Sequence, residues 1–195
     1  MKIIIPKEIK NNEYRVGLTP SSVKQLYNEG HEIFIENNAG IGIGYSNNDY
    51  ELSGASIVDN RSDLFKKGEL IIKVKEPIPE EFQYLNSSHT LFTYLHLAAN
   101  MSQAKELAKT GVRAIAYETI TSDTGNLPLL APMSSIAGQI SIVVGSYFLL
   151  KPNKGLGVML GEFIGIDKRI VTVIGAGVAG TEAIKKALAN NAYVK

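Results

Sequence analysis

The sequence predicts an α/β protein: a Rossmann-like unit with a mostly parallel sheet covered by helices, then the start of a second, truncated Rossmann unit. Three observations carry this. Short apolar runs alternate with helix-length segments as far as residue 118. A turn-rich stretch, TSDTGNLPLLAPM (121–133), interrupts that rhythm. Beyond it, a β-branched run enters a glycine loop and an alanine-rich helix.

The elements follow in order. KIII (2–5) is a short buried strand. Thr19 and Pro20 open a helix as N-cap and first helical residue, Val23, Leu26 and Tyr27 keep helical spacing, and Gly30 stops it. EIFIE (32–36) alternates as a second strand and leads into a glycine-rich loop, AGIGIGYS. GELIIKVK (68–75), HTLFTYLH (89–96) and VRAIAYE (112–118) continue the sheet, with a helix over 101–110. The boundary divides the chain into 1–128 and 129–195. No repeat or low-complexity tract interrupts either part.

The apolar segment 133–150 approaches the length of a membrane span, but Ser134, Ser135, Gln139, Ser141 and Ser146 interrupt it. It reads as a helix over 134–150 buried inside a soluble protein. Ile136, Ile140, Val143, Tyr147 and Leu150 form one stripe; Ser134, Gly138, Ser141 and Gly145 form another of small residues only. A small-residue stripe admits a close backbone. Tight helix–sheet packing is expected, with a bridge between domains as the added reading.

Composition narrows the classes. A net charge of +1 gives no electrostatic case for nucleic acid or an acidic membrane surface. With 45% hydrophobic and 20% charged residues, the chain has the material for a real core. The absence of cysteine excludes disulfides and thiolate chemistry and fits a reducing compartment. The apolar run near the N-terminus is too short for a signal peptide. A cytoplasmic protein is expected, with neither membrane nor nucleic-acid partner, and no metal site is singled out.

The run RIVTVI (169–174) leads directly into Gly175-Ala-Gly177-Val178-Ala179-Gly180 and a helix whose Ala183, Ala187 and Leu188 face the sheet. This is G-x-G-x-x-G between strand and helix. Gly175 permits the tight turn, Gly177 removes a Cβ from the path of a pyrophosphate, and Gly180 lets helix and strand pack closely. The helix start, including Val178 and Ala179, offers N–H groups and a positive dipole end to phosphate. Dinucleotide binding outweighs the plainer alternative, a glycine turn that only packs a βα unit. Asn191 is expected at the left-handed position after this helix. The acidic residue that separates NAD from NADP, about 20 residues past the motif, falls near or beyond Lys195. The other strands of that sheet are expected from residues outside this chain.

In the first unit, Arg15 follows the first strand, Lys73 and Lys75 share a face at the end of another, and Tyr94 and His96 share a face at the end of a third. Ligands of open parallel sheets collect outside the carboxyl ends of the strands, so these groups suggest a site for a small anion. Arginine grips a carboxylate bidentately, lysine adds a point charge or transfers a proton, and histidine serves as acid or base near neutral pH. Each has an ordinary alternative: a solvated arginine, a snorkelling lysine, a hydrogen-bonded structural histidine. His31 and His89 precede their strands and read as structural.

The stretches PKEIKNNEYRVGLTP (6–20), GHEIFIENNAGIGIGYSNNDY (30–50), IIKVKEP (71–77), FTYLHLA (92–98), AIAYET (114–119), LPLLAPMSSIAGQ (127–139) and VIGAGVAG (173–180) resemble the alanine dehydrogenase family, N-terminal half, over nearly the whole chain. The resemblance implies reversible oxidative deamination of L-alanine to pyruvate and ammonia with NAD. It gives 1–128 as a substrate domain and 129–195 as a linking helix and the beginning of an NAD-binding domain. It implies that Arg15 and Lys75 hold the substrate carboxylate beside Tyr94, that His96 is the acid/base, and that Lys75 shares in catalysis. Ser134 and Gly175, Gly177, Val178, Ala179 and Gly180 would contact the cofactor. His96 would be paired with an aspartate from beyond this chain, so the 195 residues alone are expected to be inactive. The resemblance also implies a homo-oligomer, commonly a hexamer. The related alpha subunit of proton-translocating transhydrogenase typically lacks the histidine of YLHLA and the lysine of KVKEP, and this sequence keeps both. A non-catalytic truncated remnant is the remaining alternative.

Overall fold

A computed structural model describes residues 1–195, which divide into two compact units, Met1–Ile120 and Thr121–Lys195. The first contains six parallel strands: β1 (Lys2–Ile5), β2 (Glu32–Glu36), β3 (Ala55–Val58), β4 (Leu70–Ile72), β5 (Thr90–Thr93) and β6 (Arg113–Ala116). Their order is β3-β2-β1-β4-β5-β6. The chain builds outward from β1 in one direction, returns to its other side at β4, and builds outward again. The carboxyl ends of β1 and β4 therefore flank a topological switch point, where such sheets open a crevice.

β1 is apolar throughout because both its faces are covered. Ile3 and Ile5 join a core with Val23, Ile33, Ile35, Tyr50 and Ile72; Ile4 joins one with Leu64, Phe65, Ile71, Leu91 and Leu107 on the other side. Helix α1 (Pro20–Asn28) is capped as its sequence indicates: the Thr19 side chain accepts from the Ser22 N–H, and Gly30 follows the helix at φ 86°. Val23 is buried while Tyr27 lies half exposed. Helices α2 (Asn47–Glu51) and α3 (Arg61–Lys67) flank β3, and α4 (Met101–Thr110) precedes β6. The α2–β3–α3 segment is absent from the sequence-based element order. Its first helix has five residues, too short for a helical periodicity to register, and its strand ASIV lacks the continuous apolar run of β1.

The expected strands 68–75 and 89–96 are also shorter than their apolar patterns. Lys73 to Lys75 and Tyr94 to His96 lie in the turns that leave β4 and β5.

The second unit contains α5 (Ala131–Leu149), β7 (Ile170–Val171), α6 (Val178–Ala189) and β8 (Tyr193–Val194), with β7 and β8 parallel. The strand pairing extends beyond the assigned residues through Tyr193 N–H to the Arg169 carbonyl (2.9 Å) and Val173 N–H to the Lys195 carbonyl (2.9 Å). The core is small: Ile142, Ala183, Ala187 and Ala192. Leu188, expected to face the sheet, is exposed. Asn191 adopts φ 56°, the expected left-handed turn.

Helix α5 departs from the sequence reading in its start and in what it packs on. It begins at Ala131 rather than 134, with Pro132 in its first turn. It is also largely uncovered in this chain. Only Gly138 and Ile142 are buried, while Ile136, Ile140, Val143, Tyr147 and Leu150 are exposed. By length and composition alone it is long and apolar enough to cross a membrane. Of the small-residue stripe, Gly138 packs on a helix rather than a sheet, while Gly145 faces open space. A Cβ added at Gly138 would stand 2.1 Å from the Ala179 carbonyl oxygen, so α6 approaches α5 by its backbone.

Candidate functional site

The site in the first unit assembles around the β1–β4 switch point. Past β1, Glu8 is buried, and its Oε1 accepts from the main-chain N–H of Val74 (2.6 Å) and Lys75 (3.2 Å). This ties the turn after β4 to the segment after β1. The next turn is joined in the same way: Tyr94 N–H donates to the Val74 carbonyl (3.3 Å), and Thr93 Oγ1 donates to the Lys75 carbonyl (2.9 Å). Gly17 completes the approach. A Cβ there would meet the Ile72 carbonyl oxygen at 2.6 Å, so the segment carrying Arg15 lies against the end of β4.

Lys73 and Lys75 then take different environments. The Lys73 side chain is 2% exposed; its Nζ lies 2.6 Å from Glu81 Oε1 and 3.4 Å from Glu8 Oε2. Glu81 also accepts from Arg61 Nη1 (3.1 Å), whose Nη2 reaches Glu36 (2.9 Å) and the Lys7 carbonyl (2.6 Å). Lys73 thus belongs to a buried charge network beneath the site. Such a network resists loss of any member, because the remaining charges would be left buried and unpaired. Lys75 stays at the surface of the site, 23% exposed, with Nζ 3.9 Å from Glu76.

Arg15 is paired through Nε to Glu13 Oε1 (2.8 Å) and through Nη2 to Glu13 Oε2 (2.6 Å). This pairing holds the Glu13 carboxyl below its ordinary range and outweighs the desolvation that opposes it, with Lys75 adding to the effect. The same pairing raises the Arg15 guanidinium, to which Tyr94 and Glu8 contribute through their charges. Arg15 thus stands within electrostatic reach of Glu13, Tyr94 and Glu8, and Glu13 within reach of Lys75. Tyr94 is 8% exposed. Burial pushes its hydroxyl above the ordinary phenol value, Arg15 works against this, and Glu118 adds to it.

His96 follows as an exposed residue with φ 51°. Its ring runs nearly parallel to that of Tyr94, 15° between planes and 6.2 Å between centroids. Tyr117 crosses the other ring edge-on, 4.9 Å from Tyr94. His96 also lines an apolar pocket of about 360 Å³ with Leu95, Leu97, Ala116 and Glu118. The turns therefore place Lys75 and Tyr94 on adjacent segments and His96 alongside Tyr94, on the side of a pocket that includes neither Arg15 nor Lys75, and they set Lys73 apart. His89 is structural: buried before β5, its Nε2 lies 3.0 Å from the Phe65 carbonyl and so carries the proton of that hydrogen bond.

Sequence reasoning missed Glu8, Glu13 and Glu118. Each acts on a residue through the main chain or by a pairing that only the folded chain reveals. Glu13, two residues from Arg15, offered the one local signal.

In the second unit the glycine loop is formed by backbone. Gly175 adopts φ 96°, the left-handed conformation. A Cβ at Gly180 would stand 2.0 Å from the Gly175 carbonyl oxygen, so only glycine permits this turn. A Cβ at Gly177 would meet nothing within 4 Å, and no side chain caps α6 there. Open space before an uncapped helix start is what a dinucleotide pyrophosphate requires. Ser134 lies in the first turns of α5, one turn before Gly138 and so on the same helix face, which meets Ala179.

A parallel-sheet unit with cationic groups beyond its strand ends is followed in the chain by a glycine loop of dinucleotide-binding form. The chain belongs to the alanine dehydrogenase/PNT family. Residues 4–137 match that family's N-terminal domain, and residues 141–195 its C-terminal domain. It is 48% identical over 194 residues to alanine dehydrogenase of Staphylococcus epidermidis, covering 100% of this chain and 52% of that protein. It is 47% identical to the Bacillus subtilis enzyme of the same name over 100% of this chain and 51% of that protein. A solved L-alanine dehydrogenase superposes with a TM-score of 0.90 at 47% identity, covering 98% of this chain and 53% of that one. A transhydrogenase from Sinorhizobium meliloti superposes at 0.78 with 26% identity, covering 100% of this chain and 55% of that one. The chain spans about half the length of the curated relatives it matches.

Proposed function

We propose that the protein carrying this chain catalyses reversible oxidative deamination of L-alanine to pyruvate and ammonia with NAD. Residues 1–128 would form its substrate domain, and 129–195 the linking helix and the beginning of its NAD-binding domain. The observation that carries the reading is that Arg15, Lys75, Tyr94 and His96 stand on neighbouring segments beyond the carboxyl ends of β1, β4 and β5, with the His96 ring alongside Tyr94. Arg15 and Lys75 supply positive charge for a carboxylate, and Glu13 fixes the Arg15 fork. Tyr94 packs beside the site. His96 holds or accepts a proton at the substrate nitrogen and at the water that adds to the imine carbon. Ser134, Gly175, Gly177, Val178, Ala179 and Gly180 hold the dinucleotide, which when bound accepts hydride from the substrate Cα.

Identity of 48% to an alanine dehydrogenase against 26% to a transhydrogenase favours this reaction over hydride exchange between nucleotides. Retention of Lys75 and His96 favours it independently. A soluble cytoplasmic homo-oligomer fits the family resemblance and the lack of cysteine.

The test compares NADH formation from L-alanine and NAD with hydride exchange between NAD(H) and NADP(H), both on the complete gene product. Alanine-dependent NADH formation is expected, abolished by His96→Ala with NADH affinity retained. Exchange without alanine turnover would reject the proposal. Loss of NADH affinity in His96→Ala would make His96 a structural residue.

A further inference from the structure

The turn after β5 carries His96 in a conformation that its own sequence does not favour. A left-handed backbone is uncommon for a residue with a Cβ, although histidine enters it more readily than most, and at His96 its surroundings hold it. Two restraints are visible. The His96 carbonyl accepts from the Ala99 N–H at 3.1 Å. On the other side, two successive N–H groups converge on one carboxylate. Glu118 Oε1 accepts from His96 N–H at 2.7 Å and from Leu95 N–H at 3.0 Å, and Oε2 lies 3.2 Å from the Leu95 nitrogen. Topology explains the meeting. β5 and β6 are parallel neighbours, so the turns leaving their carboxyl ends lie side by side. Glu118 stands in the turn Tyr117–Thr119 immediately after β6.

We propose that Glu118 is the positioning residue for His96: its carboxylate grips the main chain at 95–96 and so fixes the imidazole alongside Tyr94. The proposal rests on the reading of His96 given above. Hydrogen bonds to an ionised acceptor are the stronger kind, and two converging N–H groups leave that acceptor little freedom. A parallel device holds the neighbouring turn, where Glu8 accepts from Val74 and Lys75 N–H. The site's two reactive turns are thus each held by a carboxylate from elsewhere in the sequence. The two devices differ in what they secure: Glu8 secures the turn bearing Lys75, and Glu118 the turn bearing His96. Loss of Glu118 therefore affects the histidine and spares the cationic clamp.

The experiment uses NMR on the 195-residue chain and its Glu118→Ala and Glu118→Gln variants. Amide exchange is measured at Leu95 and His96. The His96 Cε1–H and the Arg15 and Lys75 side-chain resonances are followed during pyruvate titration. In Glu118→Ala, exchange at Leu95 and His96 is expected to accelerate about tenfold or more. The pyruvate-induced shift of His96 should be lost while those of Arg15 and Lys75 remain. Glu118→Gln, which keeps an acceptor oxygen, should fall between, and it decides the matter if the alanine variant does not fold. Unchanged exchange together with an unchanged His96 response would overturn the proposal, as would equal loss of all three pyruvate responses. If the unsubstituted chain shows no pyruvate response, the carboxylate pocket fails as a reading, and amide exchange still decides whether Glu118 holds the turn.

Discussion

The side-chain cluster beyond β1, β4 and β5 and the glycine loop before α6 are built by opposite means. The cluster depends on what side chains add. Arg15, Lys75 and His96 reach it because Glu13, Glu8 and Glu118 hold the segments that carry them. The loop depends on what side chains would obstruct, and Gly180 tolerates no Cβ because the Gly175 carbonyl stands 2.0 Å from where it would be. A site made of backbone is written into local spacing. A site made of side chains is written into contacts between residues far apart in the chain. Substitutions should therefore behave differently in the two regions.

The largest effect is expected in the charge network beneath the cluster. Lys73→Met leaves Glu8 and Glu81 buried with one fewer cation and should cost about 3–5 kcal/mol in chemical denaturation. Lys75→Met, two residues on and partly exposed, should leave stability within about 0.5 kcal/mol and reduce pyruvate affinity. Similar denaturation midpoints for the two variants would erase the distinction between network and site.

In the loop, Gly180→Ala should lower the melting temperature of the second unit and abolish NADH binding in the complete protein. Gly177→Ala should fold normally, since its new Cβ meets nothing within 4 Å, while NADH affinity falls because that space is the ligand's. Equal melting and equal affinity for Gly177→Ala and the parent would mean that no phosphate approaches there. On α5, Ile142→Ala should cost about 2 kcal/mol or more, whereas Ile140→Ser, half exposed, should lie within about 0.5 kcal/mol in this chain.

The smallest expected effect concerns acid. The folded-state pKa of Glu13 is depressed, so its pairing with Arg15 contributes stability above the ordinary glutamate value of 4.5 and loses it as pH falls through the depressed folded value. Glu13→Gln should therefore differ from the parent in thermal stability at neutral pH, and the two should converge in strong acid. A difference that persists there would assign Glu13 another role.

These contrasts also explain what the sequence disclosed. The KIII and EIFIE strands, the Thr19 cap, the Asn191 turn and the glycine loop were legible because each is fixed by residues close together. The α2–β3–α3 segment went unread although local caps mark it: Ser46 and Asp49 form a capping box at α2, and Asn60 caps α3. The α5 helix is apolar in sequence but mostly uncovered in this chain, because composition reports an apolar surface without naming what covers it. Motif resemblance singled out Lys75 and His96. Nothing local separated Lys75 from Lys73, because burial of Lys73 depends on Glu81 and Glu8.

The most direct test of the account is a titration of the isotopically labelled 195-residue chain with pyruvate, read by side-chain NMR. The account expects coincident, saturable shifts at Arg15, Lys75, Tyr94 and His96, with little change at Lys73 and His89. Saturable shifts confined to other surfaces, or a response at Arg15 that leaves Lys75 and His96 unmoved, would contradict it.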